Sequence, residues 1–162
     1  MKRIISLTLL LAVALSLSLA PASAQGRGAY VAPLSGGEEV PAVDTGARGQ
    51  AVFKADRDGT SVDYRLIVAN IQNVTMAHIH VAPAGANGPV VVWLYPDAPP
   101  PELIPGRSSG VLATGTITAD DLVGQLAGSS VEDLLGLMDT GQTYVNVHTE
   151  AYPAGEVRGQ IR

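Results

Sequence analysis

The chain contains three histidines, His78, His80 and His148, and they are its residues best suited to chemistry. His78 and His80 lie two apart in Met76-Ala77-His78-Ile79-His80-Val81. On a strand, residues i and i+2 share a face, so these two imidazoles would stand side by side. His148 lies in Tyr144-Val145-Asn146-Val147-His148-Thr149, which alternates in the same way. Neutral imidazole nitrogens suit copper or zinc. Three of them on neighbouring strands would form a metal site at His78, His80 and His148, with Glu156 as a fourth ligand or as a partner that orients a ring.

Three strands must position these groups, and each has an apolar and a polar side. Ala77, Ile79 and Val81, then Val145 and Val147, then Val157 and Ile161 form the apolar sides. The opposite sides carry His78 and His80, Asn146 and His148, and Glu156, Arg158 and Gln160. By parity Val74 and Met76 share the histidine side. A final hairpin symmetric about its loop would set Asn146 against Arg158 and His148 against Glu156. A carboxylate beside His148 would raise that histidine's pKa. The set His78, His80, Asn146, His148, Glu156 and Arg158 supports three readings. It could be a hydrogen-bonded polar cluster that fixes strand order, a copper or zinc site, or a surface for a small ligand or protein partner.

Other chemistries find no support. The serines lie outside any G-x-S-x-G elbow, and no phosphate loop or dinucleotide fingerprint occurs. Asp120-Asp121 is explained by helix capping. The absence of cysteine excludes disulfides, thiol catalysis and thiolate-held zinc. No catalytic residue is assigned, and the expected role is binding or structural rather than enzymatic.

Met1 to Ala24 has the form of a secretory signal peptide. Lys2 and Arg3 precede an apolar run, and Ala22-Ser23-Ala24 is a small-x-small site that predicts cleavage before Gln25. The expectation is a secreted, periplasmic or extracellular protein with no membrane anchor after cleavage. The chain has 10 basic and 15 acidic residues, and removing Lys2 and Arg3 leaves 8 against 15, a formal charge of −7. With no basic run left, a nucleic-acid surface is not expected.

Residues 25–28 read as a flexible lead-in and 29–162 as one domain. Strands are expected at 29–34, 49–56, 60–69, 74–81, 90–95, 110–118, 143–149 and 155–161. Asp58-Gly59 predicts a hairpin turn. Asn70 to Asn73 is expected to turn the chain, and Asn73-Val74-Thr75 matches a glycosylation sequon by chance. Glu38-Glu39 reads as solvated charge in a loop. Pro96 to Gly106 is too proline-rich for regular pairing and reads as a surface loop. Thr118 and Ser130 can cap one or two short helices near 119–139, with Leu122, Leu126, Leu134, Leu135, Leu137 and Met138 covering the core. The pattern predicts an all-β fold, an antiparallel β-sandwich of Greek-key or immunoglobulin-like type.

Several segments in order resemble one family. They are Leu34-Ser35-Gly36-Gly37-Glu38-Glu39-Val40-Pro41, Ala77-His78-Ile79-His80, Gly85-Ala86-Asn87-Gly88-Pro89-Val90, Gly115 to Leu122, Tyr144-Val145-Asn146-Val147-His148-Thr149, and Pro153-Ala154-Gly155-Glu156-Val157-Arg158-Gly159-Gln160-Ile161. Together they resemble the CHRD domain, the repeat named after chordin and found singly in secreted microbial proteins. The resemblance implies a secreted, β-rich, immunoglobulin-like domain without a known reaction. Chordin's antagonism of bone morphogenetic proteins belongs to separate cysteine-rich modules and does not carry over to a chain without cysteine. His78, His80, Asn146, His148, Glu156 and Arg158 match the family motifs. The H-x-H strand is also similar to that of copper-zinc superoxide dismutase, but this chain has too few histidines for a two-metal site.

Overall fold

A computed structural model describes residues 28–162. The expected signal peptide lies outside the described residues. The strands are β1 (Ala29–Ser35), β2 (Arg48–Ala55), β3 (Val62–Val81), β4 (Val90–Tyr95), β5 (Ile104–Ile117), β6 (Thr143–Thr149) and β7 (Val157–Gln160). One α-helix, α1 (Val131–Asp139), precedes β6, and short 3-10 turns cover Gly36–Glu38, Ala119–Asp121 and Gly124–Leu126. Among the described residues no helix is long and apolar enough to cross a membrane.

The sheet differs from the expected sandwich. All pairings are antiparallel, and they run β2-β1-β7-β6-β3 and then back to β2, which closes a five-stranded barrel. The β1–β7 seam is narrow: Ser35 pairs with Arg158, and Val31 and Arg162 exchange backbone hydrogen bonds of 2.7 and 3.1 Å. The extra strands β4 and β5 attach to β3. Closure is possible because β3 is 20 residues long, with one half pairing β2 and β5 and the other pairing β6 and β4. Closing the sheet also leaves fewer open edges than a sandwich would.

The length of β3 follows from a second departure from expectation. Asn70 and Asn73 do not reverse the chain. Both sit at positive φ, 57° and 52°, a conformation asparagine tolerates better than most residues. Each coincides with a register shift against β5, so the chain bends and continues. Another shift, against β6, lies between Val74 and Met76. The core positions record these shifts: Val62, Leu66 and Val68, then Ile71, then Val74, then Ala77 and Ile79. Val74 therefore points into the core rather than to the histidine side.

These residues meet Ala32, Leu34, Phe53, Val145, Val147, Val157 and Ile161 in one apolar cluster. Helix α1 supplies Val131, Leu134, Leu135 and Met138 to the same cluster. Its start is set as expected: Ser130 accepts from Asp133 N, and the Asp133 carboxylate accepts from Ser130 N, a capping box. The proline-rich loop is shorter than expected, since pairing resumes at Ile104. Its residues Pro99, Pro100, Pro101 and Glu102 are exposed.

Candidate metal centre

Four adjacent strands build a polar floor on the face away from this core. β7 contributes Arg158 and Gln160, β6 contributes Tyr144, Asn146 and His148, β3 contributes His78 and His80, and β4 contributes Trp93. The register sets His78 against Asn146 and Trp93, and His80 against Tyr144. Asn146 lies against Arg158, as hairpin symmetry required. Apart from the half-buried Trp93, the floor is buried. His78 is 3 % exposed, His80 8 % and His148 6 %.

Loops form the roof, and they hold the rings. His80 Nδ1 lies 2.9 Å from Gly88 O, and His148 Nδ1 lies 3.0 Å from Pro153 O. A carbonyl only accepts, so both Nδ1 atoms carry the proton and both Nε2 atoms keep their lone pair. His78 Nδ1 lies 3.2 Å from His148 Nε2. The Nε2 atoms of His78 and His80 are buried and, among the described residues, meet no partner in good hydrogen-bond geometry. One ligand atom from each ring can be chosen so that all three lie within 4.8 Å of one another. Two nitrogens bound at 2.0–2.1 Å around a tetrahedral ion would be about 3.3 Å apart, close to the His78–His148 spacing.

Burial also keeps the rings neutral. It lowers the pKa of His78 to about 3, helped by the neighbouring His148 and His80. Burial lowers His148 to about 4 against the opposing hydrogen bond to Pro153, and it lowers His80 against the opposing interactions with Gly88 O and the Asn146 side chain. All three imidazoles are uncharged, so no imidazolium proton has to be lost before a cation binds, although one neutral-ring proton lies between His78 Nδ1 and His148 Nε2.

Arg158 braces the site. It is 2 % exposed, and its guanidinium lies 3.5 Å from the centre of the Tyr144 ring. Tyr144 in turn stacks on His80 at 4.8 Å between centroids. Arg158 Nη1 donates to Asn87 Oδ1 at 3.0 Å and Nη2 to Ala86 O at 2.7 Å. Asn87 then donates to Val40 O, tying together two roof loops. Gly88 is required where it passes the strand, because a Cβ there would lie 1.9 Å from Val81 O.

Glu156 behaves differently from the expected pairing. Its carboxylate accepts from Thr45 Oγ1 at 2.7 Å and Thr149 Oγ1 at 2.9 Å. His148 takes the Pro153 carbonyl instead, and its pKa falls rather than rises. Glu156 is therefore a brace for the loop before β2, at one remove from the imidazoles.

Glu39 corrects a second reading. Glu38 is solvated, but Glu39 is only 7 % exposed and its Oε1 has no hydrogen-bond partner among the described residues. Burial raises its carboxyl pKa to about 7, against the pull of Arg158. Gly155, at φ 127°, leaves space there, since a Cβ would lie 2.5 Å from Glu39 Oε1 and 2.8 Å from Asn146 Nδ2. Trp93, edge-on to His78 with 4.2 Å between centroids, was likewise not assigned from sequence. Periodicity places β4 but cannot say which strand it joins. The family model for the CHRD domain matches residues 30–161.

The chain belongs to the CHRD domain family. The matched span contains every strand bar the first residue of β1, together with the whole polar floor and its roof. No curated protein and no solved structure matches the chain. The CHRD resemblance of the ordered motifs thus holds for the whole domain. Its immunoglobulin-like expectation gives way to an all-β fold closed as a barrel.

Proposed function

We propose that this CHRD domain is an exported binding protein that holds one copper or zinc ion on His78, His80 and His148. One observation carries the reading. Three buried neutral imidazoles converge, and two have their Nδ1 protons committed to backbone carbonyls, which aims Nε2 inward. A purely structural polar cluster would be expected to satisfy its own buried atoms. Here, among the described residues, His78 Nε2 has no partner, and His80 Nε2 has none of good hydrogen-bond geometry, with the Asn146 side chain nearby. An ion bound between His78 Nδ1 and His148 Nε2 would take the place of the proton that now joins them, and that proton would pass to His78 Nε2, which keeps the ring neutral. The rings would also draw inward, since 4.8 Å is wider than a shared ion requires.

Export through a cleaved leader fits a site of this type, because imidazole ligands do not depend on a reducing compartment as thiolates do. Elemental analysis of untagged full-length protein, beside a variant with all three histidines replaced by alanine, tests the reading. The expected result is one equivalent of copper or zinc in the wild type and none in the variant. Equal metal in both would refute it. A partner surface would instead make the 36–41 or 96–106 loops essential and the histidines dispensable.

A further inference from the structure

The register shift of β3 against β6 has a chemical result. Val74 pairs with Thr149 and the next bridge joins Met76 to His148, so two residues of β3 advance against one of β6. Such a bulge re-aims the side chains around it. Val74 and Ala77 both lie in the apolar core. Met76, next to Ala77 on the strand, falls on the opposite face, the one that carries His78. It is half-buried, yet it is not among the half-buried apolar side chains packed against the core. Its register partner is His148 and its i+2 neighbour is His78. Cβ atoms of directly opposed residues are about 4.5–5.5 Å apart, and same-face neighbours along a strand about 6.6 Å. A thioether here lies within reach of both rings. The chain's other methionines are Met1 and the core residue Met138.

We propose that Met76 supplies a fourth, thioether donor and makes the centre a copper(I)-selective His3Met site. The proposal rests on the three-histidine reading above. Thioether sulfur is a soft donor that favours copper(I), whereas zinc is well served by imidazole alone. The surroundings agree: Trp93 covers one side of His78, and the cluster is buried from solvent. Such a shell suits a singly charged, weakly hydrated ion better than a divalent one.

The test is anaerobic titration of the full chain with copper(I) against a chromophoric chelator, and separately with zinc(II). Wild type, Met76→Leu and His148→Ala are compared. Met76→Leu preserves volume and should fold. The expected result is that Met76→Leu weakens copper(I) binding more than about tenfold, about 1.4 kcal/mol, and leaves zinc(II) binding unchanged. His148→Ala should weaken both. X-ray absorption of the copper(I)-loaded wild type should show a sulfur neighbour, a readout that needs no variant. No sulfur neighbour, or unchanged copper(I) affinity in Met76→Leu, overturns the proposal and leaves the histidine site standing. Equal losses of copper(I) and zinc(II) in Met76→Leu overturn it too, since the effect is then structural. A wild type that binds neither ion overturns both readings.

Discussion

His78 Nδ1 and His148 Nε2 lie 3.2 Å apart although 70 residues separate them in sequence. The antiparallel register of β3 and β6 produces this approach, by placing His78 opposite Asn146 and Met76 opposite His148. On the proposed three-histidine reading, the fold brings the candidate nitrogens close together before any ion arrives. A preorganised site of this kind loses little ordering entropy on binding.

Metal should stabilise the protein through these atoms. An ion at a hundredfold excess over its Kd adds about 2.7 kcal/mol to unfolding. Wild type should therefore melt several degrees higher with copper or zinc than after chelation. The triple His→Ala variant should show the same melting temperature in both conditions.

Trp93 is the chain's single tryptophan and lies edge-on to His78. Copper(II) bound at the centre should quench its fluorescence, and zinc(II) should not. Quenching that persists in the triple histidine variant would place the copper elsewhere.

Arg158→Lys keeps the charge and removes the planar fork that reaches Asn87 and Ala86 while stacking on Tyr144. It should destabilise by about 2 kcal/mol, and Arg158→Ala by about 3 kcal/mol or more. Denaturant midpoints at constant m-value would measure both.

Glu39 predicts a pH dependence. Its folded pKa, about 7, lies above the ordinary carboxyl value of 4.5, so ionisation disfavours the folded state. Its contribution is fully present below about pH 4.5 and is lost as pH rises through 7. Arg158 from β7 opposes the shift, and Glu38 beside it is exposed. Glu39→Gln should remove this slope and leave the variant more stable than wild type at pH 8. The gain should be about 2 kcal/mol once solvent screening is allowed for. Equal wild-type stability at pH 5 and pH 8, once other groups are controlled for, would contradict it.

Much of this was legible in the sequence because strand alternation is a local signal. It gave the apolar and polar sides of β6 and β7, and hairpin symmetry gave the Asn146–Arg158 pair. The capping residues of α1 are equally local. Parity fails where bulges intervene: alternation alone sets Val74 on the histidine side, and the shifts in β3 turn it into the core. The bend at Asn70 and Asn73 reads as a turn in sequence, since positive φ serves both purposes. Barrel closure depends on β3 pairing different partners along its two halves, and no local pattern encodes that. The burial of Glu39 likewise depends on a loop folding over a distant strand, so its neighbour Glu38 gave no warning.

The most direct test is anomalous diffraction from crystals of the loaded protein, collected at the absorption edge of the bound metal. The three-histidine account predicts a single peak at about 2.0–2.1 Å from one nitrogen each of His78, His80 and His148. Stoichiometric metal with no peak among these rings would contradict it.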